Sequence, residues 1–170
     1  DVGEEPNEIN LPSWKSPALR NSRPLHYRPD YFNYSLPNQA ALEIKVTKIG
    51  CNTTQTAKVE AYFSSAPEGL TWPDNWHEFY VDIGGNQIKA GGKFGEINIP
   101  ILYYRDVWEG TIKFDPTFDP AIYSSGPVNL GILARIVSPD DPDFNTNPTN
   151  LLELATHNNN IAWRLFELQH

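Results

Sequence analysis

The sequence predicts an all-β protein, an antiparallel β-sandwich of roughly seven to eight strands with an extended N-terminal arm. Three observations point there. Apolar and polar residues alternate with period two over several short runs, Gly, Pro and Asn punctuate the runs, and no segment carries a sustained helical period. The 170 residues include 15 Pro and 11 Gly, more breakers than a helical protein carries, and 39% hydrophobic residues are enough for a sizeable core.

Residues 1–40 read as the arm. Pro6, Pro12, Pro17, Pro24, Pro29 and Pro37 forbid a long helix and interrupt any central strand. Trp14, Leu19, Tyr27, Tyr31, Phe32 and Tyr34 are too much apolar surface to leave in water, so the arm is expected to pack across the domain. The sandwich itself is assigned to residues 41–170.

Leu42, Ile44 and Val46 alternate with Glu43, Lys45 and Thr47, giving a strand with one face on a core. Ala57, Val59, Ala61 and Phe63 repeat the pattern after a turn with Gly50 and Asn52, and these two runs are expected to pair as neighbours. Further strands are expected at Phe79 to Ile83, Gln87 to Ala90, Glu96 to Leu102, Thr111 to Phe114, Val128 to Val137 and Asn160 to Leu168. The Val128 run places Leu130, Ile132, Ala134 and Ile136 on one face with Leu133 and Val137 on the other, the mark of a central strand. Ile44, Val46, Val59, Phe63, Ile99, Leu130, Ile132 and Ile136 should face one interior. A single helical turn is expected at Leu151 to His157, started by Pro148-Thr149-Asn150.

A net charge of −8 with 13 Lys and Arg scattered along the chain argues against a nucleic-acid groove and against anionic membrane surfaces. No apolar run approaches a bilayer span, and no signal-peptide pattern opens the chain, as expected of a mature or excised piece. Cys51 is the sole cysteine, so no internal disulfide forms, and a buried thiol is expected.

Several runs carry a family resemblance. Asp1 to Asn7, Trp14-Lys15-Ser16-Pro17 with Arg20-Asn21, and Leu42 to Val46 ahead of Gly50-Cys51 resemble the start of immunoglobulin-like modules in large secreted bacterial proteins. Gly69 to Trp76, Leu133 to Pro142 and Asn158 to Arg164 are similar to the middle and end of the same modules, the bacterial cell-adhesion-related (CARDB-like) class. The resemblance implies an immunoglobulin-like sandwich with an accessory, non-catalytic role in adhesion, protein interaction or spacing. It further implies a secreted or cell-surface setting, with neighbouring domains of a larger polypeptide, a protein or a glycan as partners.

The chemistry-bearing residues are few. His26, His77, His157 and His170 lie far apart without metal-ligand spacing, and Cys51 and the serines lack nucleophile signatures. Glu60, Glu78, Glu96 and Glu109 are available for a hydrolase, but they are better explained as strand exteriors and loop residues. Catalytic residues and cofactors are therefore expected to be absent. Asp141, Asp143, Asn145 and Asn147 place alternate oxygens as at the start of a calcium loop, although Thr146 stands where the turn Gly would be and Leu152 where a bidentate carboxylate would be. A plain loop explains that run better. Trp72, Asp74, Asn75 and Trp76 offer the alternative function, a carbohydrate-binding module: exposed indoles stack on sugar rings while Asp and Asn bond hydroxyls. The competing account has the indoles plugging the end of the sandwich. Asn158-Asn159-Asn160 reads as a turn before the last strand, and Asn33-Tyr34-Ser35 and Asn52-Thr53-Thr54 are sequons only in a eukaryotic setting.

Overall fold

The computed structural model describes residues 19–21, 31–33, 41–48, 56–65, 71–114, 128–139, 149–150 and 160–169. Strand segments follow one another as β1 (Leu19–Asn21), β2 (Tyr31–Asn33), β3 (Ala41–Thr47), β4 (Ala57–Ser64), β5 (Thr71–Trp72), β6 (Phe79–Ile83), β7 (Asn86–Ile99), β8 (Val107–Lys113), β9 (Val128–Val137), β10 (Thr149–Asn150) and β11 (Ile161–Gln169). There is no helix among the described residues. The expected turn at Leu151 to His157 lies outside them.

Two sheets carry the architecture: β1-β3-β8, and the six-stranded β2-β11-β9-β4-β7-β6. A two-stranded ladder joins β10 to β5. The order is that of an immunoglobulin-like sandwich, with A, B and E strands in the small sheet and G, F, C and C′ strands in the large one. Two short pieces of the arm extend both sheets, β1 pairing antiparallel with β3 and β2 pairing parallel with β11. Of the aromatic residues expected to dock the arm, Tyr31 and Phe32 lie in β2 and pair through their backbone with β11, while Trp14, Tyr27 and Tyr34 lie outside the described residues.

Period-two alternation builds the core. β3 buries Leu42, Ile44 and Val46 while Glu43, Lys45 and Thr47 stay exposed. These meet Ala57, Val59, Ala61, Phe63, Ile99, Leu130, Ile132, Ala134 and Phe166 from the large sheet, with Ile136 packed alongside. All eight side chains expected in one interior are in that cluster or against it. β9 lies between β11 and β4, as its two apolar faces require.

Three expectations need correction. β3 and β4 are not neighbours: β3 pairs with β1 and β8, β4 with β7 and β9, and the connection crosses between sheets. Alternation specifies which face is buried, not which strand lies alongside. The Gln87 and Glu96 runs are one 14-residue strand, β7. Its glycines mark close approach and not a turn: a Cβ on Gly91 would sit 2.6 Å from the Asn75 carbonyl oxygen, and one on Gly95 would run into Ile112. The run begun at Thr111 starts earlier, at Val107.

A turn does occur at Gly84-Gly85, whose φ values of 63° and 85° belong to the mirror-image hairpin turn that suits strand twist. The Asp82 carboxylate accepts the Gly85 N–H at 2.9 Å across it.

Candidate functional site

The large sheet is covered on its outer face as well. On β4 the residues alternating with the core set are Lys58, Glu60, Tyr62 and Ser64, and pairing sets Glu60 beside Arg135 and Tyr62 beside Leu133 on β9. Trp163 follows on β11, opposite Leu133. Tyr62, Leu133 and Ile161 form a second apolar cluster with Trp72 and Trp76, against which Trp163 packs.

The segment from Thr71 to His77 folds over that face. Asn75 organises it: its side-chain oxygen accepts the Thr71 N–H at 2.8 Å and the Thr71 hydroxyl at 3.1 Å. The backbone closes behind, with Trp76 and His77 N–H groups both donating to the Pro73 carbonyl at 2.9 Å. Trp72 is 3% exposed and Trp76 0%. Neither indole face is open, so the stacking platform expected of a carbohydrate site is absent here. The physical reason is that two indoles gain more from covering Tyr62, Leu133 and Ile161 than from standing in water. Nor do they plug the end of the sandwich, since they lie on the outer sheet face. Asp74 is exposed, and Asn75 is committed to Thr71.

Around this cover the aromatic rings interlock. His77 stacks on Tyr62 at 5.1 Å and 8°, and Trp72 meets both rings edge-on, at 5.3 Å from Tyr62 and 4.9 Å from His77. The Arg135 guanidinium lies 5.5 Å over the Trp72 ring. Partial burial and, secondly, the Arg135 charge push the His77 imidazole below its ordinary value.

Beside the rings lies a four-membered ion-pair lattice. Lys58 contacts Glu60 at 2.9 Å and Glu96 at 3.0 Å, while Lys93 contacts the same carboxylates at 2.9 and 2.6 Å. Glu60 and Glu96 are directly opposed in the β4–β7 register, so the two lysines neutralise what would otherwise be a like-charge pair. Burial alone would raise the Glu60 carboxyl, but hydrogen bonds from Lys93, Lys58 and Tyr62 outweigh it and hold the group at about 2. Glu96 is lowered by its lysine hydrogen bonds. Tyr62, buried and donating to Glu60 at 2.8 Å, is pushed up and keeps its proton. The structure thus brings together two of the four carboxylates available for hydrolysis, with both ionised. General acid catalysis needs one carboxyl raised so that it can donate a proton near neutrality, and this pair is tuned the opposite way.

Among the described residues, no group of three or more His, Cys, Asp or Glu side chains is arranged to hold a metal ion. Asp141, Asp143, Asn145 and Asn147 lie outside the described residues, as does Cys51. No helix of the described residues is long and apolar enough to cross a membrane.

A second region is the connection from β7 to β8, where Tyr103 and Tyr104 raise in the sequence the same question as the Trp72 loop, whether the rings are exposed to a ligand or buried. Leu102 is buried in it, while Ile101, Tyr103 and Tyr104 are 58%, 63% and 52% exposed and Val107, at the start of β8, is 52% exposed. A turn from Tyr103 to Asp106 shapes it: Asp106 N–H donates to the Tyr103 carbonyl at 2.9 Å, and the Asp106 carboxylate accepts the Tyr103 N–H at 2.8 Å. Arg105 adopts φ 70° at the third turn position, where Gly or Asn is usual, and its guanidinium lies 5.0 Å over the Tyr104 ring. Reciprocal backbone bonds of 2.8 and 2.9 Å tie Arg105 and Asp106 to Lys48 at the end of β3. The strand expected from Glu96 to Leu102 ends in the structure at Ile99, and Tyr103 and Tyr104, whose exposure the sequence leaves open, stand in solvent.

Set against known proteins, the chain matches no protein-family model and no curated protein. Among solved structures it is similar to a crystal structure of the CARDB domain of a Pyrococcus furiosus protein in complex with di-metal ions, with 15% identity over 88% of this chain and 87% of that one and a TM-score of 0.43. The immunoglobulin-like assignment stands on this chain's own strand order.

Proposed function

We propose that the chain is a non-catalytic, immunoglobulin-like interaction module of a larger secreted or cell-surface bacterial protein, and that the loop between β7 and β8 is its contact surface. One observation carries the reading. Of the six large apolar side chains exposed among the described residues, Ile101, Tyr103 and Tyr104 fall on one connection that backbone hydrogen bonds pin to Lys48, and Val107 opens the strand that follows it.

Tyr side chains supply large contact area at little conformational cost, and a loop already fixed loses little entropy on binding. Outward Lys58, Glu60, Lys93 and Glu96 of the large sheet neutralise one another in a single lattice, which supports a scaffold and not a reaction centre there. The bacterial and extracellular setting is supported by the resemblance carried by Asp1 to Asn7, Gly69 to Trp76 and Asn158 to Arg164.

Photo-crosslinking on the native cell tests this. A benzophenone side chain placed at Tyr103 in the parent polypeptide should give a discrete adduct, and one at exposed Glu43 on the small sheet should not. Equal labelling from both positions, or none from Tyr103, would refute the assignment.

A further inference from the structure

The second place where large apolar groups stand exposed is β6, the outer strand of the large sheet, where Tyr80 is 45% and Ile83 38% exposed. Among the described residues no strand pairs with its far side. Edge strands are normally blunted by Lys, Pro or a bulge at mid-strand. Phe79-Tyr80-Val81-Asp82-Ile83 has neither Lys nor Pro, its one charge is Asp82, and its ladder irregularity falls at the Phe79 end.

Geometry limits what can pair there. The two-residue turn closes on Ile83 and Asn86, so alternation directs the N–H and C=O groups of Ile83 and Val81 towards β7 and those of Tyr80 and Asp82 outward. An antiparallel partner must therefore meet Tyr80 and Asp82 with its own outward residues. For a second copy of this strand, three registers satisfy that condition, centred on Tyr80, Val81 or Asp82. Centring on Tyr80 opposes Asp82 to Glu78 of the other copy, and centring on Asp82 opposes the two Asp82 carboxylates. Centring on Val81 avoids both.

In that register Tyr80 meets Asp82 twice, each pair exchanging both backbone hydrogen bonds, while Phe79 meets Ile83 and Val81 meets Val81 along one apolar row. Glu78 falls opposite Gly84. We infer that β6 is a self-association edge: two copies pair antiparallel about Val81, joining their large sheets into one. The edge is self-complementary in its backbone hydrogen bonding and sets no carboxylate opposite another, which favours a second copy over an unrelated extended peptide. This inference is independent of the contact loop, which lies on another connection.

Sedimentation velocity of the full chain over a concentration series tests it, with circular dichroism confirming that each variant folds. The parent should show a dimer fraction that rises with concentration. Tyr80→Asp sets carboxylate against carboxylate and should leave monomer only, whereas Tyr80→Lys sets an ammonium against Asp82 and should keep the dimer. A parent that stays monomeric throughout, a Tyr80→Asp variant that dimerises like the parent, or a folded Tyr80→Lys variant that does not dimerise would each overturn the proposal.

Discussion

Glu60 shows how a single side chain ties this fold to pH. Its carboxyl sits at about 2 in the folded chain against an ordinary 4.5. A group depressed by folding contributes stability that is complete above its unfolded value and is lost as pH falls towards the folded one. Stability should therefore decline from about pH 4.5 down to about pH 2 by on the order of 1–2 kcal/mol, allowing for solvent screening of a partly exposed lattice. Urea unfolding at several pH values checks this, and Glu60→Gln should flatten the decline. Trp72→Ala should cost about 3–5 kcal/mol, since it strips the cover from Tyr62 and Leu133, while Asp74→Ala in the same turn should change stability by less than about 0.5 kcal/mol. Comparable losses from both would mean that the segment is not the apolar lid described here. At this scale the sequence was partly legible. The outward Lys58, Glu60 and Tyr62 follow from alternation alone, but Lys93, Glu96 and Arg135 reach them only through cross-strand register, which one sequence does not display.

At the scale of elements, the β6–β7 hairpin shows which signals are local. Gly84 and Gly85 both need positive φ, and open space surrounds each, so the constraint at these positions is backbone conformation and not packing. Gly84→Asn should keep stability within a few tenths of a kcal/mol because Asn tolerates left-handed backbone, whereas Gly84→Val should cost about 1–2 kcal/mol. Thermal melting separates the two. β9 and β6 match their expected bounds because their alternation or flanking turn residues are contained within the segment itself. β7 was divided in the sequence because Gly91, Gly92 and Gly95 look like turn residues. The role of Gly91 and Gly95 appears only when Asn75 and Ile112, distant in sequence, are brought against them. The separation of β3 from β4 was illegible for the same kind of reason, since a buried face fits either sheet equally well.

At the scale of the molecule, a large sheet buried on its inner face by the small sheet and partly on its outer face by the Thr71 to His77 segment is a rigid frame for loops. Two pieces of residues 1–40 belong to that frame: β1 and β2 occupy the edges of β3 and β11, so deleting residues 1–40 should lower the melting temperature and expose two strand edges to aggregation. Unchanged melting would show that those pairings add nothing. The central claim is that this frame and the contact surface are separable, with the exposed aromatics of the β7–β8 connection serving binding and not folding. A Tyr103→Ser/Tyr104→Ser double variant tests it most directly, measured both by melting and by photo-crosslinking from exposed Val107 on the native cell. The expected result is melting within about 1–2 °C of the parent with the crosslinked adduct lost, since exposed side chains contribute little to stability. Persistence of the adduct, or a melting drop of the size caused by a core truncation, would contradict it.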